Sequence, residues 1–239
     1  GAGIEKSRAS EELIKFAEAF EIPVATTLRA KGVFPEDHRL SLGVFGYGGT
    51  RHAIETIISG DVEVLIVLGS GLNQRDTLFW SKKFKPSLAL VHVDIDPAVI
   101  GRTYKTELNI VGDCGEFLKY MRQQTENAGA FIATKGLRTA WLEKIRGRGA
   151  RLYDAENCAS DAVPVHPARV VCDLRRAMPR ETVLLVDSGA HRAFVGHYWE
   201  TYGPLRYLSA TNLGPMGWAI PAAIGAKLAR PALPCAVIT

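Results

Sequence analysis

Short apolar runs alternate with helix-like patterns along the first half of the chain. The runs are continuously apolar and several end in glycine or aspartate, which is typical of parallel strands buried on both faces. They cover residues 23–27, 62–71, 88–96 and 109–113. A glycine-rich loop is predicted at 43–50.

Amphipathic helices are predicted between these strands. Four apolar residues of segment 8–20 share one helical face: Leu13, Phe16, Ala17 and Phe20. Further helices are predicted at 52–58 and 115–123. This alternation predicts an α/β fold: a doubly wound, mostly parallel, Rossmann-like sheet whose ligand edge lies at the carboxyl ends of the strands.

The first three residues, Gly1-Ala2-Gly3, resemble the turn that follows a strand. That strand would have to precede the sequence. The Gly-x-Gly spacing carries little information alone, because no third glycine completes the dinucleotide-binding fingerprint.

A second α/β unit is predicted after a change in composition. We interpret residues 126–163 as a partly helical linker between a domain at 1–125 and the beginning of another at 164–239. In the second unit a helix is predicted at 166–178, with four residues facing inward: Val170, Val171, Leu174 and Met178. Strands are predicted at 182–189, 206–210 and 234–239.

The composition is that of a globular chain. Of 239 residues, 47% are hydrophobic and 23% charged, with no apolar run long enough for a membrane span and no signal peptide. The net charge is +4. Basic residues cluster at 81–85 and 144–151 without interleaved aromatic residues, so a solvated face or linker is favoured over a nucleic-acid interface.

The four cysteines, at positions 114, 158, 172 and 235, form no CxxC motif. This spacing argues against a disulfide framework or a zinc site and favours a reducing cytoplasm. Cys114 stands near a predicted helix start, where a thiolate would be stabilised, but we favour a small buried packing residue.

One candidate site lies at strand ends of the first half. It comprises six residues that suit a nucleotide: Gly69, Ser70, Asn73, Arg75, Asp94 and Asp96. A carboxylate at such a strand end accepts ribose hydroxyls, and arginine binds phosphate. The alternative is a set of Asx caps and solvent-facing loop residues.

The second candidate site combines Ser188-Gly189-Ala190-His191 with Gly214-Pro215-Met216-Gly217. The glycines suit close backbone approach to a flat or phosphorylated ligand. A Ser–His–Asp hydrolase is disfavoured, because no GxSxG elbow is present. The structural alternative is a helix–strand packing corner in which Met216 fills a gap.

Several motifs then combine in one order. They read LGVFGYGGT, GSGLNQRDT, HVDIDPAVIGR and VGD in the first half, and DSGAHRAFVGHYW, LGPMGWAIPAAIGAKLARP and PCAVIT in the second. Together they resemble thiamine-diphosphate-dependent decarboxylases and carboligases of the acetolactate synthase type. The resemblance covers nearly the whole chain and is strongest over 182–239 and 40–113.

The resemblance implies roles for individual residues. Gly189, Ala190 and His191 would lie near the cofactor diphosphate, and backbone groups near Gly214 and Met216 would bind the aminopyrimidine. The Met216 side chain would support the bent shape of the cofactor. The Mg²⁺ ligands of the family would follow Thr239, and its catalytic glutamate would come from an earlier domain of a partner subunit. The chain is thus expected to be an inactive piece of a homodimeric or homotetrameric enzyme acting on a 2-keto acid.

Alternatives stay open at this point. A simple 2-keto acid decarboxylase or an acyl-CoA lyase of the same family would share these motifs. A non-catalytic Rossmann-type nucleotide-binding module, or a structural domain, represents another class. FAD or ADP is a further candidate ligand of the first half. FAD is disfavoured, because Gly48 and Gly71 stand where flavin-binding members carry histidine and arginine.

Overall fold

Parallel strands form the centre of the first half. The computed structural model describes residues 1–127, 136 and 138–239. The strands are β1 Val24–Thr27, β2 Ser41–Phe45, β3 Val64–Leu68, β4 Ala89–Asp94 and β5 Leu108–Val111. β1 pairs with β2, and β3, β4 and β5 pair in that order, all in parallel.

Helices pack on both faces of these strands. They are α1 Ala2–Lys6, α2 Ser10–Phe20, α3 Arg51–Ile57, α4 Cys114–Asn127 and α5 Thr139–Arg146. Val93 of β4 packs in one hydrophobic cluster with α2 and α4, whereas Leu90 packs in another with β2, α3 and α5. Because side chains alternate between faces along a strand, the sheet is covered on both sides, as predicted for a doubly wound fold.

The second half is a smaller α/β unit. Its elements are α6 Pro167–Ala177, β6 Val183–Val186, α7 His191–Tyr198, β7 Tyr207–Ser209, α8 Ala219–Ala229 and β8 Cys235–Ile238. β6 is central and fully buried, with β7 and β8 parallel on either side. The predicted strands and helices of this half are confirmed. Within the described residues, no helix combines the length and apolarity that crossing a membrane requires.

Three local predictions are wrong. Residues 1–3 are not a turn, since helix α1 begins at Ala2. The loop predicted at 43–50 begins later, because β2 extends to Phe45. Val170 is 49% exposed, and the buried positions of α6 are Ala168, Val171 and Cys172. Their i, i+3, i+4 spacing moves the buried stripe one position away from Val170.

The sequence argues against a disulfide framework, and one cysteine pair is nevertheless bonded. The Sγ atoms of Cys158 and Cys172 are 2.06 Å apart and form a disulfide. It joins the segment before α6 to α6 itself, a proximity that spacing alone does not reveal. A cytoplasmic location stays a prediction whose basis this bond weakens. Cys114 is a packing residue, as favoured: it is buried, and burial raises the pKa of its thiol to about 11.

The segment predicted as a linker, 126–163, is partly helical where it is described, and residues 128–135 and 137 lie outside the described residues. Its basic residues bind within the chain. Lys144 and Arg148 both pair with Asp61, and Arg151 pairs with Glu200 of the second half. This basic cluster therefore contributes to internal packing.

A buried ion pair joins the two halves. Lys31 Nζ lies 2.6 Å from Glu36 Oε1, and both side chains are almost fully buried. Lys31 also donates to the Gly196 carbonyl at 3.1 Å, and Glu36 accepts from the Thr201 amide at 2.7 Å. Burial lowers the pKa of the Lys31 ammonium, while Glu36 acts in the opposite direction. The halves are thus fixed to each other by charged groups that have no access to water.

Candidate functional site

A cleft of 790 Å³ lies between the two halves. Six of the residues predicted from sequence line it together: Asn73, Arg75, Ser188, Gly189, Ala190 and Gly214. The first two come from the predicted nucleotide site and the others from the predicted cofactor site. Parts of both candidate sites therefore share one cavity.

The loop before α8 is held by a residue far away in sequence. The Asp187 carboxylate, at the end of β6, accepts from the Gly217 amide at 2.7 Å and from the Ser188 amide at 2.8 Å. Burial opposes ionisation, yet the backbone N–H groups of Ser188 and of residues 217–219 hold the pKa of this carboxyl below its ordinary value. Asp187 thus caps α8 from outside its own segment.

Glycine is required in this loop. Gly214 and Gly217 have φ of +65° and +81°, in the left-handed region that other residues rarely adopt. A Cβ at Gly214 would also stand 3.3 Å from Ser188 Oγ. The bend between them projects Met216 outward, with 85% of the residue exposed. The alternative in which Met216 fills a packing gap is therefore wrong.

The start of α7 approaches the cleft closely. Gly189 and Ala190 line the cavity, and Ala190 provides no side-chain cap for the helix. His191 turns back toward β6, with Nε2 3.0 Å from the Asp187 carbonyl oxygen. A Cβ at Gly189 would lie 2.6 Å from the imidazole, so only glycine permits this placement. Backbone N–H groups at such a helix start favour an anion.

The arrangement does not form a hydrolase triad. Ser188 Oγ accepts from Arg192 Nη2 at 2.6 Å, His191 bonds the Asp187 backbone, and the Asp187 carboxylate caps α8. No proton path from serine to histidine to aspartate exists among these groups.

Arg192 is a cleft residue that sequence reasoning missed. It is 6% exposed, and Nε donates to the Asp187 carbonyl while Nη2 donates to Ser188 Oγ and to the Ala210 carbonyl at 3.4 Å. Arg192 follows Ser188 by four residues, about one helical turn, and this spacing could have indicated from the sequence that the two side chains lie close together.

The cleft carries an excess of positive charge. Besides Arg192, it is lined by Arg29 and by Arg75, whose guanidinium lies 4.7 Å from the Tyr47 ring centroid. Among the described residues, none of these arginines has a carboxylate within ion-pair distance. Asp76 is the acidic residue of the lining, and burial raises the pKa of its carboxyl. This charge balance suits an anionic ligand.

The remaining residues of the predicted nucleotide site lie elsewhere. Asp94 Oδ1 accepts from the Asp96 amide at 3.0 Å, and Asp96 Oδ1 accepts from the Ala98 amide at 2.9 Å, which are Asx-type turn contacts. Gly69 packs against Gly3, and the Ser70 carbonyl bonds His92. Gly48 packs against Gly196 of α7. Both aspartates thus stabilise turns, and a nucleotide site at these strand ends stays a prediction.

No cluster of three or more metal-ligating side chains occurs in the described part of the chain.

Comparison with known families assigns both halves. Residues 1–121 match the family described as thiamine pyrophosphate enzyme, central domain. Residues 187–239 match the thiamine pyrophosphate enzyme C-terminal TPP binding domain, a match that begins at the capping aspartate. The chain belongs to the thiamine pyrophosphate enzyme family.

Relatives of this family member include acetolactate synthase large subunits. It is 36% identical to a probable one from Methanocaldococcus jannaschii, over 97% of this chain and 38% of the relative. It is 35% identical to that of Corynebacterium glutamicum, over 97% of this chain and 36% of the relative. It is 30% identical to the acetolactate synthase isozyme 3 large subunit of Escherichia coli, over 97% of this chain and 39% of the relative. The chain therefore spans less than two fifths of these relatives.

Three features of the cleft suit a phosphorylated ligand. It presents a helix start without a side-chain cap, glycines that leave room for close approach, and arginines without carboxylate partners. Each of these features favours a phosphorylated ligand.

Proposed function

We propose that the intact protein is a thiamine-diphosphate-dependent enzyme that decarboxylates a 2-keto acid and joins the product to a second acceptor, in the manner of an acetolactate synthase. One observation carries the proposal. The segment that matches the cofactor-binding family contributes Gly189 and Gly214 to a cleft whose charge suits an anion. The names of the relatives favour carboligation over simple decarboxylation or acyl-CoA cleavage.

Residues of this chain would hold the cofactor at two points. Gly189, Ala190 and His191 would bind the diphosphate at the start of α7, with Mg²⁺ supplied through ligands beyond Thr239. Gly214 and Met216 would contact the aminopyrimidine side. When bound, the cofactor supplies the electron sink for decarboxylation. The protein contributes the position of the loop, which Asp187 fixes, and the positive charge of Arg192.

The proposal also covers the oligomeric state of the intact protein and a nucleotide ligand of its first half. A homodimer or homotetramer in the cytoplasm would bring in the catalytic glutamate from a partner subunit. The first half would accept an adenine nucleotide such as ADP rather than FAD. A stoichiometric flavin spectrum of the purified intact enzyme would contradict that choice of ligand.

The test is a product assay on the intact enzyme with pyruvate, with and without thiamine diphosphate and Mg²⁺. We expect a five-carbon hydroxy-keto acid that requires both additions. Release of free acetaldehyde instead would indicate a simple decarboxylase, and cleavage of an acyl-CoA would indicate a lyase. Absence of any cofactor-dependent reaction, together with nucleotide binding, would favour the nucleotide-binding module.

A further inference from the structure

A second cavity, the annex, has a volume of 410 Å³ and adjoins the cleft. It lies between α1 on one side and β7 with the loop before α8 on the other. Arg29 and residues 211–213 line both cavities, whereas Gly214 lines the cleft and Pro215 lines the annex. The loop that is proposed to contact the cofactor thus forms part of the wall between the two cavities.

Arg29, two residues after the end of β1, stands in this shared wall with most of its donors unused. Its Nη1 donates to Asn212 Oδ1 at 2.8 Å, and the guanidinium makes no other hydrogen bond or ion pair with the described residues. A guanidinium presents its N–H donors as a planar fork that matches a carboxylate. The bond to Asn212 therefore positions Arg29 and leaves it able to bind an acid.

Three further polar side chains determine what the annex can bind. Lys6 adds a second cation, which forms no ion pair within the described chain. Tyr207 is 3% exposed, and its hydroxyl has no hydrogen-bond partner among the residues that the structure describes. A ligand that pairs with such a buried hydroxyl removes an energetic cost. Glu5 is the acidic residue of the lining, and burial raises the pKa of its carboxyl, so it opposes an anion less than an exposed glutamate does.

We propose that the annex binds a carboxylate far from the reacting carbonyl, so that the enzyme takes a 2-keto acid with two carboxylates. Under the proposed function, on which this rests, the cofactor and the reacting carbonyl lie in the cleft. The carboxylate of the 2-keto group is bonded directly to the reacting carbon and stays beside it. A carboxylate that reaches past Arg29 into the annex is therefore separated from that carbon by further carbon atoms.

The acid with two carboxylates is the acceptor of the carboligation. The donor loses its carboxylate as CO₂, and cations held against that group would stabilise the ground state and oppose its departure. The acceptor loses none: a carbon–carbon bond forms between the acyl carbon of the donor and the keto carbon of the acceptor, and the keto oxygen takes up a proton. Arg29 thus holds the distal carboxylate of the acceptor unchanged from binding to product.

Arg29 is then a specificity-determining residue. An acceptor of the same length without the distal carboxylate leaves both the guanidinium and the Tyr207 hydroxyl without a partner. A site built to pair polar groups of a substrate discriminates strongly against an analogue that lacks them. The annex therefore selects a dicarboxylate over a monocarboxylate.

Calorimetric titration of the intact protein without thiamine diphosphate tests the binding site independently of catalysis. The probes are glutarate, a five-carbon dicarboxylate, and pentanoate, which has the same length and one carboxylate. We expect glutarate to bind more tightly than pentanoate by about ten-fold or more. Arg29→Gln should remove this preference, and Arg29→Lys should keep part of it. Arg230→Gln, which changes an exposed arginine outside both cavities, should keep all of it.

Turnover of the same variants tests the substrate class. Pyruvate is the donor, and 2-ketoglutarate is compared with 2-ketopentanoate as acceptor. In Arg29→Gln, kcat/KM for 2-ketoglutarate should fall by about ten-fold or more, while kcat/KM for 2-ketopentanoate stays within about two-fold of wild type.

Two results would overturn the proposal. One is equal affinity of the wild-type protein for glutarate and pentanoate. The other is an equal loss of kcat/KM for both acceptors in Arg29→Gln, which would indicate a structural role for Arg29. If no keto acid reacts although glutarate binds through Arg29, the proposed function is wrong and the carboxylate site stands.

Discussion

The Asp187 carboxylate accepts a hydrogen bond from the Gly217 amide at 2.7 Å, across 30 positions of sequence. This contact joins the end of the central strand β6 to the start of α8. It explains how Gly-Pro-Met-Gly can precede an apolar helix without a capping side chain of its own. The cap comes from the strand, and the loop leaves Met216 exposed.

The Asp187 contact predicts a pH dependence of folding stability. The pKa of the carboxyl is lowered in the folded chain, so its contribution is complete above the unfolded value of about 3.9 and is lost as the pH falls through the folded value. Asp187→Asn should be less stable than wild type at neutral pH, and the difference should shrink in acid. Urea unfolding at several pH values measures this. A difference independent of pH would show that the carboxylate charge is not involved.

Two glycines near α8 should respond in opposite ways to alanine. Gly217 has φ +81°, so Gly217→Ala should cost about 1 to 2 kcal/mol although no atom lies within 4 Å of the added Cβ. Gly225 lies inside α8, also in open space, and Gly225→Ala should stabilise by about 0.5 to 1 kcal/mol. Chemical unfolding of both variants provides the comparison. Similar effects at the two positions would contradict the assigned loop conformation.

Met216→Ala should separate catalysis from stability. The side chain is exposed, so folding stability should stay within about 0.5 kcal/mol of wild type. In the intact enzyme, turnover should fall by one to three powers of ten, roughly 1.4 kcal/mol each, with little loss of cofactor affinity. Val163→Ala, at a position 96% exposed and outside the lining of the cleft, is the matched control and should retain turnover. An unchanged turnover number for Met216→Ala would remove the supporting role from this residue.

Glu36 and Asp37 are neighbours in sequence, but the ion pair of Glu36 is buried and that of Asp37 is exposed. Removing each carboxylate compares what the two pairs contribute to stability. Glu36→Gln keeps an acceptor for the Thr201 amide but leaves Lys31 without a carboxylate, which should cost about 3 to 5 kcal/mol. Asp37→Asn breaks the exposed pair with Arg180 and should cost less than about 1 kcal/mol. Equal losses in denaturant unfolding would show that the Lys31–Glu36 pair does not act as the anchor.

Strand and helix positions could be predicted from local pattern. The apolar runs at 62–71 and 88–96 became β3 and β4, and the face of Leu13, Phe16 and Ala17 is the buried face of α2. These succeeded because burial on two faces or on one stripe leaves a periodic record in the sequence.

Contacts between distant segments could not be predicted, because they produce no periodic pattern in the sequence. The Asp187 cap, the Lys31–Glu36 pair and the Cys158–Cys172 bond each depend on how elements pack. Glycine spacing did indicate where the backbone bends before α8, since Gly214 and Gly217 both have a positive φ, which glycine adopts at least cost. The sequence grouped Arg75 and Asp94 in one predicted site. Only the structure shows that Arg75 lines the cleft whereas Asp94 stabilises a turn.

The central claim is that the Asp187-anchored loop and the start of α7 form part of a thiamine diphosphate site. Calorimetric titration of the intact protein with thiamine diphosphate and Mg²⁺ tests it most directly, beside the same titration of the 239-residue chain. We predict saturable binding to the intact protein that requires Mg²⁺, and no saturation of the 239-residue chain at micromolar cofactor. An intact protein that folds and yet binds no thiamine diphosphate would contradict the account.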